Sequence, residues 1–194
     1  MAQVKRNADV KGARQNSRLH DDGFRLIGIG EDEVKSQLAF KIFESFKWRK
    51  RPDILTGSNE LTCDEVEGVH AIGECEWSET TGDLWEKYND VLSWFSPEAF
   101  CYYIPGVMVS SINDNEPNLI VVNNLVGMLD RTPNPGWWDD FFVERWPLLT
   151  IKECGVLKEW LTWLSSFENS SIDKNSFYRA LETVDLLVSR NKAS

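Results

Sequence analysis

Side chains that can do chemistry are sparse in this sequence, and those that crowd together are mostly acids. His70 lies three residues after Glu67 and four before Glu74. On a helix these spacings put one imidazole and two carboxylates on a single face, where they can grip a divalent metal. Gly68 and Gly73 argue against a helix there, so no metal site is assigned. Cys63 and Cys75 are the cysteines nearest His70, the arrangement a thiol nucleophile with an imidazole base requires. Acidic neighbours raise a thiol's pKa rather than lower it, and nothing else marks the pair. Asp139 and Asp140 are adjacent carboxylates suited to acid–base work, but such pairs more often cap helices or face water. The patterns HExxH, GxSxG and GxxxxGK[ST], the EF-hand loop and CxxC do not occur. No catalytic residue and no cofactor is assigned.

The acids themselves are the stronger signal. The chain carries 31 acidic against 21 basic residues, a net charge of −10. That balance repels phosphate backbones and anionic lipid and speeds encounter with a basic partner. The densest run extends from Glu60 to Asp90 and includes Asp64, Glu65, Glu67, Glu74 and Glu76. A second unusual stretch is Trp137-Trp138-Asp139-Asp140-Phe141-Phe142. Its adjacent bulky rings cannot all point to one helix face, so some are exposed or bury against another segment. Aromatic side chains beside acids suit contact with a basic protein. The partner-binding residues assigned from sequence are therefore Asp64, Glu65, Glu67, Glu74, Glu76, Trp137, Trp138, Asp139 and Asp140. The competing reading is a solvated acidic loop and an aromatic core.

These residues need a scaffold, and the chain has the material for one. Its 194 residues suit a single domain, and its 9 Trp, 10 Phe and 4 Tyr supply a large apolar payload. Residues 1–22 are polar, and the first twenty of them hold five basic residues against Asp9 alone. They read as a flexible basic arm, followed by a single α-rich domain over 23–194. The longest apolar runs fall short of the ~20 residues a bilayer span needs. Met1 to Asp22 contain no apolar stretch of a secretory signal. The expectation is a soluble cytoplasmic protein whose four cysteines stay reduced, with no nucleic acid and no membrane as partner.

Apolar periodicity places the helices. A first helix begins near Glu31 with Val34, Leu38, Ile42, Phe43 and Phe46 on one face. The basic cluster KWRKR closes it in keeping with the helix dipole, and Pro52 stops it. Residues 53–77 keep no clean period and read as a loop with at most a small strand or hairpin. Asp83 to Phe95 reads as one helix. Ser96-Pro97-Glu98 reads as a cap and proline start for a third helix to about Ile112, kinked at Pro105. Asn118 to Leu129 has helical spacing, with strand as the competitor because of Ile120, Val121 and Val122. Trp137 to Arg145 reads as a short aromatic helix. Thr150 and Glu153 form a capping box for a helix to about Phe167, and a last helix runs from Asp173 to Ser189. The fold class is mainly α, one compact domain of five or six amphipathic helices.

The residues WFSPEAFCYYIP, from Trp94 to Pro105, resemble the block F-hydrophobic-SPEAF-x-YY-L-P of a bacterial domain-of-unknown-function family. Arg51-Pro52, Trp85, Arg145-Trp146 and Trp163-Leu164 extend the similarity over about residues 33–167. Ile104 stands where the family has Leu. The resemblance implies a small α-rich cytoplasmic bacterial protein and no established reaction. Small acidic proteins of this kind look like immunity proteins, which neutralise a basic toxin by occluding its active site. The first functional expectation is therefore an immunity or antitoxin-type inhibitor of a basic protein. The alternatives are an enzyme using carboxylates near Glu98, Tyr102 and Tyr103, with one tyrosine ring in the core and one at the surface, and a structural adaptor.

Overall fold

The computed structural model describes residues 30–58 and 60–193. The basic arm and His20 lie outside the described residues. Among the described residues eight α-helices follow one another: α1 (Glu31–Phe46), α2 (Cys63–Gly73), α3 (Gly82–Lys87), α4 (Pro97–Asn113), α5 (Ile120–Leu129), α6 (Asp140–Arg145), α7 (Ile151–Ser165) and α8 (Lys174–Ala193). Single 3-10 turns lie at Trp77–Glu79, Val91–Ser93, Pro135–Trp137 and Trp146–Leu148. The mainly α class holds. The expected five or six helices are eight, and residues 53–77 contain α2 rather than a strand or hairpin. No described helix is long and apolar enough to cross a membrane.

Helix α4 is the axis of the fold. It is apolar on every side, the signature of a helix enclosed by others. It packs against α1, α3, α5, α6 and the turn at Trp77–Glu79. Ser96 caps it, its Oγ accepting from Ala99 N at 3.3 Å, and the same Oγ donates to Ile54 O at 3.0 Å, which ties the cap to the segment after α1. Pro97 occupies the first turn, where a missing N–H costs nothing. Phe100, Cys101, Tyr102, Tyr103 and Ile104 are all buried. The SPEAFCYYIP block thus has a structural use at almost every position. The expectation of one surface ring is corrected, because Tyr102 and Tyr103 are both core residues. Pro105 lies within the helix, which continues to Asn113.

Around this axis, α1 and α7 run antiparallel. Arg49, just past α1, meets Glu153 at the start of α7, and Lys41 within α1 meets Glu159 further along. The capping box at Thr150 and Glu153 is formed. Helix α8 closes the other side against α5 and α7. Helix wins over strand at Ile120–Leu129, where Val121, Val122, Leu125, Val126 and Leu129 bury one face. Its first N–H, on Ile120, donates to Glu86 Oε1 at 2.7 Å, a cap borrowed from α3.

Candidate functional site

Two departures from the sequence expectation create the most chemically distinctive surface of the molecule. The first is α2. Thr62 Oγ1 accepts from Glu65 N, and Glu65 Oε2 accepts from Thr62 N at 2.7 Å, so a full capping box nucleates the helix. Gly68 and Gly73 do not break it. They are small because neighbours press on them: a Cβ on Gly68 would stand 3.2 Å from Tyr88 Cδ1, and one on Gly73 would stand 2.2 Å from Leu55 Cδ1.

The second departure is that the helix expected from Asp83 to Phe95 is interrupted. Helix α3 ends at Lys87, and a 3-10 turn follows at Val91–Ser93. Asn89 Nδ2 donates to Glu86 O at 3.0 Å, the local side-chain bond that competes with helix continuation. The break turns the chain past the N-terminal half of α2. Between the two lies an open cleft of about 350 Å³.

Four carboxylates line that cleft, Asp64, Glu65, Glu67 and Asp90, against the single ammonium of Lys87. Tyr88 and Trp94 supply aromatic walls. Glu67 Oε1 accepts from Tyr88 OH at 2.6 Å and from Lys87 Nζ at 3.3 Å. Those bonds, Tyr88's first, hold the Glu67 carboxyl below the usual range, so it stays ionised. Lys87 is pushed up in turn, first by its bond to Tyr88 OH. Asp90 Oδ1 accepts from Asn124 Nδ2 at 3.2 Å. Asp64 makes no hydrogen bond or ion pair with any described residue. A cleft with excess negative charge, one unengaged carboxylate and aromatic walls suits a lysine or arginine side chain.

The other assigned residues are placed elsewhere. Glu74 follows α2, with His70 Nδ1 at 3.4 Å from its Oε1. Glu76 accepts the Tyr102 hydroxyl and caps the turn at Trp77–Glu79. Asp139 caps α6 through Phe142 N at 2.8 Å and pairs with Arg131 at 3.1 Å. Asp140 is exposed at the start of α6. The two tryptophans part company: Trp137 is 77% exposed, whereas Trp138 is 7% exposed and its Nε1 donates to Thr132 O at 2.9 Å. Trp138 packs tilted against Phe142, 4.7 Å between ring centroids, so it belongs to the core and offers little to a partner. The cleft takes Asp64, Glu65 and Glu67 from the assigned set and adds Asp90, Tyr88 and Trp94. Asp90 was visible as part of the acidic run. The two rings were not, because they sat on a helix that the structure breaks.

The catalytic alternatives find less support. Glu67 and His70 share α2, but Glu67 is turned to Tyr88 and Lys87. Among the described residues no group of three His, Cys, Asp or Glu side chains is arranged to hold a metal. All four cysteines are free thiols. Burial pushes Cys101 up to about 12 and Cys154 up to about 11, which leaves both protonated. Burial likewise raises Tyr103, up to about 12, and Tyr102 further. Tyr103 OH donates to Cys75 O at 3.1 Å. Both hydroxyls are thus engaged, Tyr103 by a backbone oxygen and Tyr102 by the exposed Glu76, while Glu98 faces solvent in the first turn of α4.

Comparison with family models, with curated proteins and with solved structures gives no match to this chain.

Proposed function

We propose that this protein is a cytoplasmic bacterial binding protein of the immunity or antitoxin type, which holds a basic protein and blocks that protein's active site. The observation that carries the reading is the cleft between α2 and the Val91–Ser93 turn, where four carboxylates face one ammonium. Its geometry suits a projecting cationic side chain, gripped by charge and by the wall of Trp94, since Lys87 Nζ already lies over the Tyr88 ring, 4.5 Å from its centroid. The tyrosines of α4 have buried rings and hydroxyls already bonded to Glu76 and to Cys75 O, which weighs against the enzyme alternative. An adaptor function would not call for so uneven a cleft.

The test is to capture the partner from the source cell with the full chain and identify it. A basic protein whose activity is inhibited in the complex supports the proposal. A neutral or acidic partner, or turnover of a small molecule by the purified protein alone, overturns it.

A further inference from the structure

A second surface, sharing no residue with the acidic cleft, runs along the seam between α1 and α7. The ion pair of Lys41 with Glu159, at 2.6 Å, bridges this seam. Hollows of about 600 and 260 Å³ flank it, both reaching Gly155. A Cβ on Gly155 would meet nothing within 4 Å. Beside the smaller hollow stands Phe40, 65% exposed on a helix whose neighbouring apolar residues Leu38 and Ile42 are buried. The face therefore carries a protruding ring next to an open depression.

The charge on this face also differs from the rest of the molecule. The residues lining the two hollows include Lys41, Lys152 and Lys158 against Glu44 and Glu159. In a chain of net charge −10, copies repel one another over most approaches. Here the local balance is close to neutral, with both signs interspersed. A twofold contact is isologous, so one patch must be complementary to itself. A knob, an adjacent hole and paired opposite charges on one face meet that requirement.

We propose that the α1–α7 face is the docking surface for a second copy of this chain, with Phe40 of each copy seated over the Gly155 hollow of the other. A 16-residue helix is about 24 Å long, and two such helices side by side make a modest patch. That size belongs with weak, reversible interfaces, so the dimer forms at micromolar concentrations.

Sedimentation equilibrium of the full chain, from about 5 to 300 µM, reads the dimer directly, in the range expected of a weak interface. The expected result is a mass that rises with concentration. It should persist when salt is raised, because screening removes the general repulsion between acidic copies. Phe40→Glu should weaken the dimer by about tenfold or more, as loss of a central anchor does. Gly155→Gln fills the hollow from an open position and replaces glycine within a helix, so it should abolish the dimer without lowering the melting temperature. A wild-type mass that stays monomeric to 300 µM overturns the proposal. So does a dimer unaffected by both variants.

Discussion

The guanidinium of Arg49 grips the carboxylate of Glu153, with Nε at 2.5 Å and Nη2 at 2.8 Å, across 104 residues of chain. Glu153 is 2% exposed and also accepts from Thr150 N at 2.7 Å to cap α7. One buried side chain thus starts a helix and fastens the segment that follows α1. Arg49 Nη2 adds a bond to Leu148 O at 2.8 Å.

Removing the cation leaves that carboxylate buried without its charge partner. Breaking a buried pair from one side costs about 3–5 kcal/mol, so Arg49→Ala should lose most of that in chemical denaturation. Arg49→Lys keeps the charge but not the two-point grip and should fall between. Equal stability of all three proteins would show that the pair does not hold α1 to α7.

The same pair shows how far the sequence could be read. The capping box at Thr150 and Glu153 follows from local spacing and is present. The basic cluster after α1 was explained by the helix dipole, a local effect, whereas Arg49 acts on a residue distant in sequence. Part of the inward face of α1 was legible, because Leu38, Ile42 and Phe46 keep a regular apolar period and are buried, whereas Val34 and Phe43 are exposed. Helix α2 was not, since Gly68 and Gly73 look like breakers until Tyr88 and Leu55 are seen against them. Trp138 was assigned to a partner surface because adjacent rings cannot share a helix face. The chain resolves the conflict by placing Trp137 in a 3-10 turn and Trp138 before α6, facing opposite environments.

Asp130 ties the end of α5 to Arg179 on α8, with Oδ2 at 2.7 Å from Nη2. The Arg179 hydrogen bond holds the Asp130 carboxyl below its ordinary range, against a smaller effect of burial. A carboxyl lowered in the folded state stabilises that state above its unfolded pKa, near 3.9, and the benefit is lost as pH falls through the folded value. Asp130→Asn should therefore be less stable than wild type at pH 7, by about 1 kcal/mol or less for so exposed a pair. The difference should shrink below about pH 4. Urea melts at pH 7, 4 and 2.5 measure it, and a gap that widens in acid would contradict the assignment.

Two glycines in helices should respond oppositely to the same substitution. A Cβ on Gly106 would stand 2.5 Å from Thr80 Oγ1 and 2.7 Å from the backbone oxygen of Trp77. The backbone cannot yield cheaply, so Gly106→Ala should cost about 1–3 kcal/mol as overpacking does. A Cβ on Gly127, in α5, meets nothing within 4 Å. Gly127→Ala should gain about 0.5–1 kcal/mol from helix propensity alone. Thermal melts of the two variants decide this, and a stable Gly106→Ala would mean that α4 and the Trp77–Thr80 segment are not in such close contact.

The last prediction concerns the acidic cleft and its proposed basic partner. Of its four carboxylates, Glu65 caps α2, Glu67 is held by Tyr88 and Lys87, and Asp90 is bonded to Asn124. Reversing any of these disturbs the fold as well as the field. Asp64 is exposed and makes no such bond, so Asp64→Lys changes the field with only the helix-dipole cost of a cation in the first turn of α2. Rim charge mainly sets the rate of association, and anchors in contact mainly set dissociation. Asp64→Lys should slow association at low salt, at a cost in stability of about 1 kcal/mol from the reversed charge at the start of α2. The slowing should fade near 1 M salt, where the Debye length is about 3 Å. Trp94→Phe keeps an aromatic wall but changes its reach, so its main effect should fall on dissociation. Stopped-flow binding at two salt concentrations separates these rates. Association that is indifferent to Asp64→Lys at low salt would place the partner on another face and remove the cleft from the mechanism.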